Sequence, residues 1–185
     1  RILIEFTDAI RPQYDELVQS GKFIATIDFL TAKARLALKI GGTMPIVGRE
    51  PIISLRSARH PLLELTLKKE GKEIVPLDME IDRTNHILVI SGPNAGGKSV
   101  CLKTVGLIQY MFQCGFPVPL AESSELGVFE DMFIDIGDQQ SIDNDLSTYS
   151  SHLLNMKNIL RHSSDRSLVL IDEFGTGTEP SVGGA

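Results

Sequence analysis

The first forty residues carry apolar positions at the spacing of an α-helix. Between residues 8 and 40 the apolar side chains recur at steps of three and four residues, which predicts two helices, or one helix that breaks at Gly21. The pattern stops at Gly41-Gly42, where Gly and Pro become frequent. We therefore predict a helical segment over residues 1–42 and a separate domain over residues 43–185.

Beyond residue 42 the pattern changes to that of strands. Residues 52–56, Ile-Ile-Ser-Leu-Arg, are typical of a short strand. Two further segments, 64–69 and 73–81, alternate apolar and polar positions on either side of the turn-forming sequence Glu70-Gly71-Lys72. This arrangement predicts a β-hairpin with one face in solvent.

Two unbroken apolar runs, Ile87–Ile90 and Leu168–Ile171, have a different character. Runs of strand length without polar residues are typical of parallel strands buried on both faces. Between them the sequence predicts a helix at about 97–112, a strand near 132–136 and a helix at about 147–160. This alternation of strands and helices indicates an α/β fold with a mixed sheet, preceded by a short all-helical segment.

Composition and charge narrow the class of protein. With 42% hydrophobic residues among 185, the chain can bury a core as one globular domain with a small appendage. No apolar run approaches the ~18 residues of a membrane span, and two cysteines without a C-x-x-C spacing fit a reducing cytoplasm. The 24 acidic residues against 18 basic ones, a net charge of −6, argue against direct binding of a nucleic-acid backbone.

A glycine-rich octet carries the clearest chemical signal. Residues 92–99, Gly-Pro-Asn-Ala-Gly-Gly-Lys-Ser, fit G-x-x-x-x-G-K-[ST], follow a predicted strand and open a predicted helix. Glycines allow the backbone N–H groups to surround a polyphosphate, and the helix N-terminus adds its positive dipole end. Lys98 would then contact the β- and γ-phosphates, and Ser99 would bind Mg²⁺. An ordinary glycine-rich turn is the alternative.

The second apolar run ends in Asp172-Glu173. A carboxylate at the carboxyl end of a parallel strand beside such a loop holds Mg²⁺, usually through water, so Asp172 is the predicted metal residue. Glu173 is placed to orient or deprotonate an attacking water. Many strands simply end in solvated acids, and the pair becomes informative only together with the loop.

The helix predicted near residue 147 begins with Ser147-Thr148 and continues as an amphipathic run. On residue types alone, we interpret Ser147 as a helix cap. Three histidines, His86, His152 and His162, lack companions at ligand spacing, so we interpret them as surface or hydrogen-bonded residues and not as metal ligands.

Taken together, these motifs resemble one family. The octet, Ser147-Thr148, Asp172-Glu173 and the following Gly175-Thr176-Gly177-Thr178 are similar to the ATPase domain of the MutS mismatch-repair proteins, an ABC-like P-loop NTPase. Arg59-His60-Pro61 resembles the beginning of that domain. The predicted helix over residues 24–37 resembles the end of the family's lever arm.

Finer features favour the bacterial type-two MutS subgroup. These are Val100, Leu102–Leu107, Asp135–Asp138 and Leu146–His152. That subgroup is associated with suppression of recombination and, in some members, with ribosome rescue, and it usually carries a C-terminal nuclease module. Mismatch repair stays open, because the ATPase motifs are shared.

The resemblance implies roles for individual residues. It implies ATP and Mg²⁺ as cofactors and a homodimer in which Ser147 and Thr148 of one subunit reach the γ-phosphate bound by the other. Asn94 would help to position the attacking water beside Glu173, and Gln140 would sense phosphate. Ile74 and Val75 are candidates for the adenine contact. The implied nucleotide-binding loop consists of Gly92, Pro93, Asn94, Ala95, Gly96, Gly97, Lys98, Ser99 and Val100.

The resemblance also implies a longer parent protein. The chain begins without Met and stops soon after Asp172-Glu173, so we interpret it as a fragment truncated at its C-terminal end. The family's switch histidine and dimer-locking helices would follow residue 185, and the regions that grip DNA would precede residue 1. The parent is expected in the cytoplasm, associated with the nucleoid.

Two other functions remain open from sequence. The first is another ABC-like P-loop ATPase, such as an SMC-like or transporter ATPase, which would show an L-S-G-G-Q-like signature where this chain has Leu146-Ser147-Thr148. The second is a nucleotide-gated scaffold that binds ATP without significant turnover. Glu173 favours an enzyme over the scaffold.

Overall fold

The computed structural model describes residues 2–93, 96–136 and 145–172, without the side chains of residues 145–151. Its helices are α1 (Ile2–Ile10), α2 (Tyr14–Ile40), α3 (Pro61–Lys69), α4 (Lys98–Gln113) and α5 (Asp145–His162). Its strands are β1 (Ile46–Val47), β2 (Ile53–Ala58), β3 (Leu77–Ile81), β4 (Glu125–Leu126), β5 (Asp131–Asp135) and β6 (Ser167–Ile171). This mixture confirms the α/β class. None of the described helices combines the length and the apolar character that crossing a membrane requires.

The N-terminal helices break at a different place from the one predicted. A 3-10 turn, Arg11–Gln13, separates α1 from α2, whereas Gly21 lies inside α2. Pro12 lacks an N–H and clashes with the preceding turn, so it ends an α-helix, while an exposed glycine costs only about 1 kcal/mol relative to alanine. Helix α2 ends where Gly41 adopts a φ of +59° and the N–H of Gly42 donates to the carbonyl of Ala37 at 2.8 Å.

The predicted hairpin around residues 70–72 is wrong. Residues 61–69 form α3, because Pro61 stands in the first turn and the Nδ1 of His60 accepts the N–H of Leu63 at 3.3 Å. Strand β3 pairs instead with β2, antiparallel, from Ile53 opposite Ile81. The local alternation of residues was therefore outweighed by a helix cap and a proline.

The described strands form two sheets. The first has the order β1-β4-β2-β3, with β1 parallel to β4 and the other pairs antiparallel. The second pairs β5 with β6 in parallel, from Asp131 opposite Ser167 to Asp135 opposite Ile171. The prediction that residues 168–171 form a parallel strand is confirmed, but only one face of β6 is fully buried: Leu168 and Leu170 are buried, whereas Val169 and Ile171 are half-buried.

The run Ile87–Ile90 does not form the predicted buried strand. Ile87, Leu88 and Val89 are 76%, 49% and 83% exposed, and none of the six described strands pairs with this segment. An apolar run becomes a parallel strand only where a neighbouring strand supplies hydrogen-bond partners. The described residues supply none, so the segment is irregular.

One core joins the two sheets through helix α4. Val105, Ile108 and Phe112 of this helix belong to the same cluster as Leu55 and Leu126 of the first sheet and Leu168 and Leu170 of the second. A Cβ on Gly106 would stand 2.9 Å from Leu170, so glycine permits this close approach of helix and strand. Helix α4 is therefore held from both sides.

Backbone crowding at Gly127 gives a test of this packing. A Cβ there would stand 1.8 Å from the carbonyl oxygen of Glu50, whereas no described atom lies within 4 Å of a Cβ at Gly21. We expect Gly127→Ala to lower the free energy of unfolding by about 3 kcal/mol or more. The matched change Gly21→Ala should raise it by up to about 1 kcal/mol. Urea unfolding of both variants measures the difference, and equal midpoints would contradict the packing.

Candidate nucleotide-binding site

The glycine-rich loop leads directly into helix α4. The N–H of Gly96 donates to the carbonyl of Pro93 at 2.9 Å, and Gly97, with a φ of +84°, is the residue that caps the helix. Among the described atoms none would obstruct a Cβ at Gly97, so its backbone conformation, and not lack of space, requires glycine. Asn94 and Ala95 lie outside the described residues.

Lys98 begins α4 and turns back over the loop. Its Nζ donates to the carbonyl of Gly92 at 2.5 Å. Ser99 follows in the first helical turn and is half-buried, and Val100 is exposed. The first N–H groups of an α-helix have no partner within the helix, and Gly97 has no side chain that could accept from them. The N–H groups at a helix N-terminus, the helix dipole and an ammonium group together fit a polyphosphate.

Two buried carboxylates stand at one edge of the second sheet. Asp135 ends β5, and Asp172 follows β6; they are 6% and 7% exposed. The N–H of Asp172 donates to the carbonyl of Asp135 at 2.9 Å, which continues the parallel pairing beyond the strands. Parallel pairing brings both aspartates to the carboxyl ends of their strands, the edge at which open α/β sheets bind ligands.

The side chain of Asp135 is fully engaged by helix α5. Its Oδ2 lies 2.8 Å from the Nδ1 of His152, and its Oδ1 accepts the amide of Asn155 at 3.0 Å. The interpretation of His152 as a hydrogen-bonded residue is confirmed, but the sequence did not reveal its partner. The signal was present as a histidine and an asparagine three positions apart on a helix, with an aspartate at the end of a parallel strand.

Other predicted site residues are only partly placed. Ile74 and Val75 lie in the irregular segment between α3 and β3, where Ile74 is half-buried and Val75 exposed. Helix α5 begins two residues earlier than predicted, at Asp145. Ser147 and Thr148 therefore lie inside its first turn, and the interpretation of Ser147 as the residue that caps the helix is wrong. Gln140 and Glu173 lie outside the described residues.

Magnesium would depend on the nucleotide for most of its ligands. Within residues 2–93, 96–136 and 145–172 no three His, Cys, Asp or Glu side chains come together as a metal cluster. Mg²⁺ commonly uses one or two carboxylates, several waters and the phosphates of a substrate. The hydroxyl of Ser99 and the carboxylate of Asp172 fit that pattern and do not fit an all-protein cage.

The start of α3 is tied to the end of α2 by charged groups. Arg59 donates from Nη2 to the carbonyl of Gly41 at 3.4 Å and from Nε to Glu64 at 3.1 Å. Burial acts to raise the pKa of Glu64, but hydrogen bonds and charges from Lys68 and Arg59 outweigh it and hold that pKa below its usual value. The beginning of the proposed domain is thus fixed to the helical segment.

The fold and this site define a mixed α/β protein with a glycine-rich loop at a helix N-terminus and buried aspartates at a parallel strand edge. The family model described as MutS domain V matches residues 88–185, which is more than half of the chain. The chain therefore belongs to the MutS family.

The type-two resemblance is supported by similar proteins of known name. Over its full length the chain is 43% identical to the Endonuclease MutS2 of Latilactobacillus sakei subsp. sakei (strain 23K). It is 42% identical to the proteins of that name from Caldanaerobacter subterraneus subsp. tengcongensis and Carboxydothermus hydrogenoformans. The chain spans 23% of each of these relatives, about a quarter of their length.

The cap of α3 predicts a dependence of stability on pH. The pKa of His60 is lowered, mainly because the imidazole is partly buried. A backbone hydrogen bond acts to raise this pKa, and the positive charge of Lys103 acts to lower it further. As pH falls below about 6.5 the unfolded chain takes up this proton before the folded one does, so stability is lost there. His60→Asn keeps a capping acceptor that does not titrate. Its unfolding free energy should therefore fall less than the wild type's between about pH 7 and pH 5.

The control for this experiment is His86→Asn, since His86 is exposed. This variant should follow the wild-type curve. Parallel pH curves for the wild type and His60→Asn, measured by urea unfolding, would show that the cap does not titrate in this range.

Proposed function

We propose that this chain is the ATP-binding and ATP-hydrolysing module of a longer MutS2-type protein that acts in DNA repair or in the control of recombination. The observation that carries the proposal is the loop at the start of α4, where Lys98, Gly97 and the helix N-terminus converge. Membership of the MutS family supports it. In this proposal residues 43–185 form an ABC-like P-loop domain, and residues 1–42 are the end of a helical lever.

In the proposed mechanism the loop binds the phosphates of ATP through backbone N–H groups, and Lys98 exchanges its contact with the Gly92 carbonyl for the β- and γ-phosphates. Ser99 and Asp172 would hold Mg²⁺, which when bound offsets negative charge on the phosphates. Glu173 serves as the base for the attacking water, with Asn94 orienting it. Ile74, Val75 and Gln140 remain proposed contacts to adenine and phosphate.

The proposed ATPase is a dimer that passes its nucleotide state to DNA-binding regions outside this chain. Ser147 and Thr148 of each subunit would complete the site of the other. A contact between α2, the proposed end of the lever, and the residues just beyond α4 offers a route for this signal. The Nζ of Lys33 in α2 donates to the carbonyl of Gly115 at 3.1 Å. The same Nζ lies 4.6 Å and 4.8 Å from the ring centroids of Phe29 and Phe116. The two ends of α4 would thus face nucleotide and lever.

Binding and hydrolysis should separate in two variants. We expect Lys98→Ala to lose ATP binding, because it removes the cation over the loop. Glu173→Gln should keep the affinity and lose turnover by about 10²–10⁴-fold, because only the base is removed. Calorimetry with Mg²⁺ and ATP, together with a phosphate-release assay on the complete protein, measures both effects. Wild-type binding by Lys98→Ala would contradict the site, and wild-type turnover by Glu173→Gln would contradict the role of Glu173 as the base. Negligible turnover in the wild-type protein, with ATP binding intact, would favour the scaffold.

Hybrid dimers test whether the site is shared between subunits. Ser147→Ala and Lys98→Ala should each inactivate the homodimer. In a hybrid dimer, one subunit carries Ser147→Ala and the other carries Lys98→Ala. Both substitutions then fall in one of the two sites and the other site is intact, so activity should return to about half of the wild-type rate at most. Tandem affinity tags isolate the hybrid. No recovery would mean that Ser147 acts within its own subunit or only supports its helix.

A further inference from the structure

Helix α5 is attached to the strand edge by two side chains on one of its faces. His152 and Asn155, three positions apart, reach opposite oxygens of the Asp135 carboxylate at 2.8 Å and 3.0 Å. An ionised carboxylate only accepts, so the Nδ1 of His152 donates. Two anchors almost one turn apart fix the helix both along and around its axis.

Asp135, whose carboxylate accepts both of these hydrogen bonds, is itself held rigidly. Asp135 is 6% exposed, pairs with Ile171 in the β5–β6 register, and its carbonyl accepts the N–H of Asp172 at 2.9 Å. Hydrogen bonds to a buried charged group are short and strong, and they are poorly replaced by water. The contact therefore ties α5 to the strand edge that carries Asp172.

We propose that Asp135, His152 and Asn155 position the start of α5, and with it Ser147 and Thr148, for their role in the partner subunit's site. The inference rests on the proposed function. Thr148 lies four residues, about one helical turn, before His152, so a shift at the anchor is transmitted along a single rigid turn. The same hydrogen bonds therefore connect the start of α5, which is proposed to contact the nucleotide of the partner subunit, to the strand edge that carries Asp172 in its own subunit.

Hybrid dimers of the complete protein separate this role from a purely structural one. In the reference dimer one subunit carries Lys98→Ala, so the single working site combines the loop of the intact subunit with the α5 start of the other. His152→Ala is then added to either subunit. In the subunit that carries Lys98→Ala, it should lower kcat by about 10–100-fold and change KM less than about threefold, because misplacement by about 1 Å can cost 10²-fold. In the intact subunit, it should leave kcat within about threefold.

Two further variants serve as controls on the same helix. His152→Asn in the Lys98→Ala subunit should restore most of kcat, since its amide offers a donor close to where Nδ1 stands. His162→Ala should change nothing, because His162 is exposed and its Nδ1 lies 2.9 Å from the carbonyl of Asn158 in the same helix.

The outcomes are distinguishable. Equal losses of kcat from His152→Ala in either subunit, or a loss confined to the intact subunit, would overturn the proposal, and so would failure of His152→Asn to restore activity. A fold defect would weaken both arrangements equally, so it cannot imitate the expected asymmetry. If the reference dimer hydrolyses no ATP before His152 is changed, the composite ATPase of the proposed function fails instead.

Discussion

The structure depends on the burial of helix α4 between two sheets that share no strand. Val105, Ile108 and Phe112 are at most 6% exposed, and removing apolar surface of this size from water is the main favourable term in folding. Polar groups on the same helix reinforce the packing. Gln109 donates to the carbonyl of Gly127 at 2.7 Å, and Gln113 accepts the N–H of Phe129 at 2.9 Å. The helix is therefore fixed in position before any ligand is considered.

A helix held in this way has two chemically different ends. Its N-terminus, at Gly97 and Lys98, carries the positive end of the helix dipole, where anions are favoured, whereas the residues just beyond its C-terminus offer carbonyls to the ammonium of Lys33. In the proposed function, a displacement at the loop would be carried to α2 by this helix moving as a rigid body. This polarity is the physical basis of the proposed link between nucleotide binding and the helical segment.

The parallel pair β5 and β6 places Asp172, the residue proposed to bind Mg²⁺. Its register brings Asp135 and Asp172 to one edge, and helix α5 is attached there through His152. Asp172 is proposed to bind the metal, whereas both carboxylate oxygens of Asp135 form hydrogen bonds with side chains of α5. Neighbouring carboxylates at one edge can thus have separate tasks, since their environments differ.

The sequence by itself determined the features that depend only on residues close together along the chain. These are the loop octet and the helix that follows it, the end of α2 at Gly41, and the approximate positions of β5, β6 and α5. Glycine conformation, capping and helical periodicity are local properties. Tertiary structure decided the rest. Ile87–Ile90 form none of the described strands, because strands exist only where partners distant in sequence pair with them. Strand β3 pairs with β2 and not across the turn at residues 70–72. The contact of Asp135 with His152 spans 17 positions, and only the packing of α5 on β5 creates it.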